Sequence, residues 1–417
     1  MDLSRAAAAA LDDADPLAGF RSRFAGVDDG LLYMDGNSLG RLPVETPAAV
    51  ARVVEEEWGR GLVGSWSSWV EQSRRIGDVL AAGVLGARPG EVLVADTTSV
   101  DLYKLLVAGA DARPGRDVLV CCADDFPTDR YIVAGVAQAR GMTVREVDAH
   151  IDTGLDLDVL TAALDERVAV VVLSQVAYRS GALVDLAEVT RLARDAGALV
   201  LWDLSHAAGA VPADLTAAGA DLAVGCTYKY LNGGPGAPAF LYVRQELQEQ
   251  LRQPIWGWFG QRDQFDMGTA YDPADGVDRF AVGTPPVVAM AAVEVGARLT
   301  AEAGIGRLAA KGQALTGLLV ALADAWLAGD GVTVASPREA ARRGSHVSLA
   351  HPQAWQLTQA LVDRGVVPDF RTPDRLRLGP APLYTRFVDV WDAMDRLRTV
   401  LAEGAHHGYP TARRRVT

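Results

Sequence analysis

Short, continuous apolar runs rich in valine recur through the middle of this 417-residue chain, at residues 92–95, 118–122, 168–173, 198–202, 222–226 and 239–243. None alternates apolar with polar residues, so the strands they predict are buried on both faces. Helical patterns lie between several of them. The clearest covers 185–197, where Asp185 can cap the N-terminus and Gly197 can end the helix. Strand, helix and strand repeated in this way predict an α/β chain with a mostly parallel, doubly wound sheet. Ligands of such sheets bind at the carboxyl ends of the strands.

The last third reads differently. A long helical pattern over 286–327 is interrupted by glycines and followed by strand candidates at 332–335, 346–349 and 375–378. Amphipathic patterns at 355–364 and 387–401 can cover that small sheet. The expected division is therefore an N-terminal arm, 1–45, joined to a small α+β domain, 291–417, with a large domain at 46–290 between them. The run Arg413, Arg414 and Arg415 reads as part of a frayed tail.

Lys and Arg number 40 against 53 Asp and Glu, a net charge of −13, which disfavours nucleic acid as a partner. Three cysteines, Cys121, Cys122 and Cys226, show no C-x-x-C spacing, and the six histidines form no H-E-x-x-H pair. No metal site is expected. Residues 6–11 are apolar but too short for a signal core, and no uninterrupted apolar run approaches the roughly 18 residues of a membrane span. The expectation is a cytoplasmic protein without membrane contact.

The chemistry-bearing residues cluster at the predicted strand ends. Lys229 stands between the run at 222–226 and the turn Asn232-Gly233-Gly234-Pro235-Gly236, where glycines allow backbone to approach a ligand. Asp203 and His206 follow the run at 198–202. Amine, acid and imidazole together suit pyridoxal phosphate, whose aldehyde needs an amine and whose ring nitrogen needs a carboxylate. Each residue also has an ordinary explanation: a surface lysine before a turn, a strand-end acid, a core histidine. Thr97-Thr98-Ser99 precedes a helical pattern and offers hydroxyls and amides to a phosphate, or simply caps the helix. Phe126, in Phe126-Pro127-Thr128-Asp129, can stack on a flat ring or sit in a plain turn. The glycine-rich turn matches neither G-x-G-x-x-G nor G-x-x-x-x-G-K-[ST], so dinucleotides and nucleoside triphosphates lose their sequence support. Trp256-Gly257-Trp258-Phe259-Gly260 is an aromatic loop suited to packing, a ligand or a dimer contact. Arg377, in a short strand candidate, can grip a carboxylate bidentately.

Taken together, Tyr33-Met34-Asp35-Gly36-Asn37-Ser38-Leu39-Gly40, Phe126-Pro127-Thr128-Asp129, Trp202-Asp203-Leu204-Ser205-His206, Tyr228-Lys229-Tyr230-Leu231-Asn232, Gly257-Trp258-Phe259-Gly260 and the segment from Arg377 to Tyr384 resemble the kynureninases. These belong to the fold type I pyridoxal-phosphate enzymes. The resemblance runs in order across nearly the whole chain. It implies a fold type I transferase-like architecture, with a mostly parallel seven-stranded sheet in a large domain beside a smaller α+β domain. It also implies hydrolysis of the side-chain carbon-carbon bond of L-kynurenine to anthranilate and L-alanine in tryptophan breakdown, with 3-hydroxykynurenine left open as a second substrate.

By the same resemblance Lys229 bonds the cofactor aldehyde and acts as base, with Tyr228 as a proton relay. Asp203 pairs with the ring nitrogen, His206 lies at the phenolic oxygen, and Phe126 stacks on the ring. Thr98, Ser99, Tyr228, Trp258 and Thr284 hold the phosphate, Trp258 and Thr284 reaching across a homodimer interface. Pro127, Thr128, Asp129 and Ser174 surround the cofactor, Arg377 binds the substrate α-carboxylate, and Trp66 contacts its aniline ring. Thr284 stands where some members have asparagine. The competing expectations are a cysteine desulfurase or selenocysteine lyase, which needs a cysteine on a mobile loop, and a regulatory protein that keeps the fold without turnover.

Overall fold

The computed structural model describes residues 2–412; the arginine run from Arg413, read as part of a tail, lies outside the described residues. The valine-rich runs form a seven-stranded sheet whose spatial order is Val92–Ala95, Ala239–Val243, Leu222–Gly225, Leu199–Asp203, Val168–Ser174, Val118–Cys122 and Thr143–Val147. Ala239–Val243 is antiparallel to both neighbours, and every other pairing is parallel.

Side chains alternate between two apolar layers, one on each face of the sheet. Val118, Val120 and Cys122 enter one layer. Leu119 and Cys121 enter the other, beside Leu105 and Val136 of the helices Thr98–Asp111 and Pro127–Arg140. Double coverage explains why those runs carry no alternation. Thr143–Val147, an edge strand, lacks such a run, and its Thr143 and Glu146 are exposed, whereas the other edge strand, Val92–Ala95, is buried throughout. Asp185 accepts the Glu188 amide at 3.0 Å as the cap of Leu186–Asp195, and Gly197 at φ +76° turns the chain into the next strand.

In the last third, Val287–Ala303 and Ile305–Trp326 are separate helices, broken at Gly304 with φ +81°. A four-stranded antiparallel sheet runs Thr333–Val334, Val347–Ala350, Arg375–Leu378, Asp369–Arg371. Its core takes Leu357 and Val390 from the helices Ala354–Asp363 and Phe387–Ala402, and also Ala8, Leu32 and Met34 from the N-terminal segment. The Asp12 carboxylate accepts the amides of Phe387 and Val388 at 2.6 and 3.0 Å, so a residue from the start of the chain caps a helix near its end.

Among the described residues, Ile305–Trp326 is long and apolar enough to cross a membrane, although no uninterrupted apolar run marks it in the sequence. Leu315, Leu319 and Leu322 account for that apolarity, since all three are buried in the core just described.

Val287–Ala303 bears directly on the segment after Lys229. A Cβ on Gly296 would lie 1.9 Å from the Leu231 carbonyl oxygen, so helix and loop touch backbone to backbone. Gly296→Ala should therefore destabilise the protein by about 1–3 kcal/mol, read as a lower urea midpoint at unchanged slope.

Candidate active site

The lysine segment is pinned by its own turn and by the N-terminal arm. The Asn232 amide donates to the Lys229 carbonyl at 2.9 Å, and the Gly233 amide donates to the Thr227 carbonyl at 2.8 Å. Asn232 has φ +55°, a region it tolerates because its side-chain amide donates to the Tyr230 carbonyl at 2.8 Å. The arm crosses above, with the Gly40 amide donating to the Tyr228 carbonyl at 2.8 Å. A side chain at Gly40 would meet the Lys229 carbonyl oxygen at 2.4 Å, so the crossing requires glycine.

The carboxyl edge of the large sheet opens into a cleft of about 320 Å³, within the range of small-molecule sites. It brings together most of the residues expected from sequence: Lys229, Tyr228, Asp203 and His206 on one side, Phe126, Thr128, Asp129 and Ser174 on another. Thr98 and Ser99 join them as the first two residues of Thr98–Asp111, which begins two residues before the sequence pattern suggested because Thr97 is its cap. Amides at the start of a helix have no intrahelical acceptor, so this turn presents N–H groups and the positive end of the helix dipole. A wider groove of about 1260 Å³ has no lysine in its lining.

Burial sets the protonation pattern. Lys229 Nζ lies 2.9 Å from His206 Nε2. Burial, then the charges of Lys229 and Arg377, hold His206 well below the usual imidazole range, so it is neutral and accepts from the amine. Asp129 is pushed well above the usual carboxylate range, by burial first and then by the charges of Asp203 and Asp125. It keeps its proton and shares it with Asp203 as a hydrogen bond. Asp125, with its oxygens 3.3 Å from the amides of Cys122 and Ser174, is raised to about 7 by burial. The Tyr228 hydroxyl is held protonated by the neighbouring Cys226 sulfur and by burial.

Arg377, also in the cleft lining, is buried and already bound. Its guanidinium donates to Ser38 Oγ at 3.0 Å, to the Tyr178 carbonyl and to Asp369, and its Nε lies 2.7 Å from the Asn37 amide oxygen once that amide is oriented to accept. Asp369 also pairs with Arg371 at 2.8 Å. Arg371 lines the cleft and was not anticipated. The pairing of Asp369–Arg371 with Arg375–Leu378 sets Asp369 opposite Arg377 and Arg371 opposite Arg375. The spacing Asp369-Phe370-Arg371 beside Arg375-Leu376-Arg377 was the available signal, since period two puts alternate residues on one face.

Other expected residues lie elsewhere. Pro127 is the first residue of its helix and is absent from the cleft lining. Trp66 packs against Trp258 and Phe259, each at 6.2 Å between ring centroids, outside the lysine cleft. Thr284 lines an adjoining groove of about 780 Å³ that shares Thr97 and Gly236 with the cleft. The three cysteines are all buried, and burial raises the thiols of Cys121, to about 12, and of Cys226. None offers the exposed thiolate that desulfurase chemistry needs.

Solved structures resemble the whole fold. The apo cysteine desulfurase of Thermococcus onnurineus superposes with a TM-score of 0.80 over 93% of this chain and 98% of its own, at 17% identity. A mutant of C-DES with glycine covalently linked to its pyridoxal-phosphate cofactor gives 0.79 over 92% and 99%, at 18% identity. The architecture is that of the fold type I pyridoxal-phosphate enzymes. A kynureninase C-terminal domain family matches residues 308–397. The kynureninase of Pseudomonas fluorescens is 46% identical over 400 residues, 94% of this chain and 94% of that protein. The chain belongs to the kynureninase family.

His346 lies beside His206, the rings tilted and 5.4 Å apart between centroids, and burial, with Arg377 and Lys229, holds it well below its ordinary 6.5. A neutral buried imidazole takes up a proton only on unfolding, so it costs stability increasingly as pH falls below about 6.5. His346→Gln should flatten the acid side of the stability curve by up to about 1.4 kcal/mol per pH unit, measured by urea unfolding from about pH 7 to pH 5.

Proposed function

We propose that this protein is a pyridoxal-5'-phosphate enzyme that hydrolyses the side-chain carbon-carbon bond of L-kynurenine, releasing anthranilate and L-alanine. The observation that carries this reading is the Lys229 amine, 2.9 Å from a neutral imidazole in a cleft that also holds Asp203 and a helix N-terminus. The chain's near full-length kynureninase relatives support the choice of reaction. The cofactor suits this donor set. An amine is available for its aldehyde, and the carboxylate of Asp203 is available for its ring nitrogen. The amides of Thr98 and Ser99 suit its phosphate, and the unpartnered buried His206 Nδ1 suits its phenolic side.

The cofactor, when bound, supplies an electron sink for charge developed on the substrate. Lys229 would hold it covalently, and its amine, when free, is the base that would remove the proton at the substrate's α-carbon. Asp203, which accepts the hydrogen bond from Asp129, would pair with the ring nitrogen. Phe126, standing edge-on to Tyr178 at 5.3 Å, offers a ring face, and Thr128 and Ser174 complete the surroundings. The Tyr228 hydroxyl, held protonated and placed at the phosphate end, relays protons while water adds to the substrate's γ-carbonyl. Arg377 binds the α-carboxylate. With Asp369 already paired to it, Arg371 supplies the second positive charge that leaves a net attraction for that anion.

Trp258 and Thr284, set outside their own chain's lysine cleft, serve the phosphate of a second copy in a homodimer. Trp66 travels with Trp258, since the two rings pack together, and meets the substrate's aromatic ring from the same side. The N-terminal arm, 1–45, belongs with the small domain, 291–417, against the large domain, 46–290, and the hydrogen bonds from Phe387 and Val388 to Asp12 support that division. The enzyme works in the cytoplasm.

Purified protein supplied with L-kynurenine should produce the fluorescence of anthranilate together with alanine. Sulfide release from cysteine with no anthranilate would instead favour the desulfurase reading, and parallel assays with 3-hydroxykynurenine give the substrate preference. Lys229→Ala should lose both turnover and the visible band of the lysine-bound cofactor; a retained band would remove Lys229 from that role. Arg377→Ala would strand Asp369 without its buried partner, so Arg377→Lys is the cleaner probe. It should keep the cofactor and lose about a hundredfold in kcat/KM, because an ammonium cannot make the bidentate grip.

A further inference from the structure

The glycines of Gly257-Trp258-Phe259-Gly260 have a structural reason. A Cβ at Gly257 would lie 1.9 Å from the Val282 carbonyl oxygen, and one at Gly260 would lie 2.6 Å from that of Ala281. The aromatic loop is thus pressed directly onto the backbone that leads to Thr284. Loop and backbone form one packed unit, and it carries both residues assigned to the second copy's phosphate.

That unit is tied to this chain's own anion seat by one buried ammonium. Lys104 is fully buried on the helix Thr98–Asp111, and helical side chains lean toward the N-terminus, so it reaches back along the first turns. Its Nζ donates to the Phe280 carbonyl at 2.9 Å and to Asp96 at 2.6 Å, and lies 2.8 Å from the buried Asp101 carboxylate. Phe280 directly precedes the backbone on which the aromatic loop packs. Asp96 directly precedes Thr97, the cap of the helix that presents Thr98 and Ser99. Asp96 has φ +44°, a left-handed conformation that a non-glycine residue holds only under constraint. Its carbonyl is fixed by the Ala239 amide at 3.1 Å, and its carboxylate by Lys104.

We propose that Lys104 is a positioning residue that couples the two clefts of the dimer, holding the phosphate seat of its own subunit and the Trp258–Thr284 unit that completes the seat of the other. The inference rests on the homodimer reading given above. It predicts that removing one ammonium weakens phosphate recognition both in its own cleft and across the interface.

Hybrid dimers of differently tagged chains test this. One chain of each hybrid carries Lys229→Ala, so a single cleft can bond the cofactor, and its visible band is titrated with pyridoxal phosphate and with pyridoxal, which lacks the phosphate. Lys104→Met is placed either on the chain that keeps Lys229 or on the Lys229→Ala chain. Both placements should weaken pyridoxal phosphate binding about tenfold while changing pyridoxal binding by no more than about twofold. Loss only with the first placement would confine Lys104 to its own seat and overturn the coupling. Equal loss for pyridoxal would make Lys104 merely structural, and no loss would remove it altogether. If Lys104→Met alone fails to fold, Lys104→Met with Asp101→Leu removes the stranded buried carboxylate, and the same outcomes apply. A chain that sediments as a monomer, with full cofactor affinity, would overturn the dimer reading itself, a result distinct from any of these.

Discussion

Desolvation at one edge of the large sheet governs this protein. Strand ends and the loops that follow them bring Lys229, His206, Asp203 and Asp129 into one cleft, with Asp125 buried beside them. Charges cannot all persist there, so the groups divide the protons among themselves. His206 stays neutral and Asp129 stays protonated, and each then hydrogen-bonds a neighbour, Lys229 and Asp203 respectively. The rest of the fold serves to hold these groups at that edge. Helices on both faces keep the strands dry, and the arm crossing at Gly40 fixes the lysine loop from above.

The small sheet contributes the opposite charge balance. Arg371 and Arg377 share one aspartate in the cleft lining, while Asp203 and Asp129 make the neighbouring part of the lining rich in carboxyls. Under the proposed function, that asymmetry would orient a zwitterionic amino acid with an extended side chain before any bond is made. Electrostatics and shape point the same way, and the acidic overall charge of the chain has little say in it, because these groups are buried.

Much of this was legible from residue order. Six strands announced themselves because two-sided burial leaves no room for polar positions, and the strand-end residues fell where parallel sheets bind ligands. The edge strand Thr143–Val147 was missed because exposure on one side breaks the apolar run. Arg371 was missed for a different reason: its place in the cleft depends on register with Arg375–Leu378, a pairing between short strands that no local pattern declares. Trp66, Trp258 and Thr284 were singled out through the family resemblance, and their positions relative to Lys229 follow from tertiary packing alone. The early start of Thr98–Asp111 comes from Thr97, whose hydroxyl accepts the Val100 amide and pulls the first turn back by two residues.

The reversed strand Ala239–Val243 has a mechanical meaning. Because it runs against both neighbours, the connection from Gly225 to Ala239 leaves and re-enters the sheet at the same edge, without the crossover helix that a parallel partner would demand. Lys229 therefore sits in a loop anchored by strand ladders at both ends, like a bridge resting on two piers. Lengthening that loop would displace the amine itself, with no flanking helix to absorb the change, so the span between the two strands is a dimension of the active site as much as any bond distance within it.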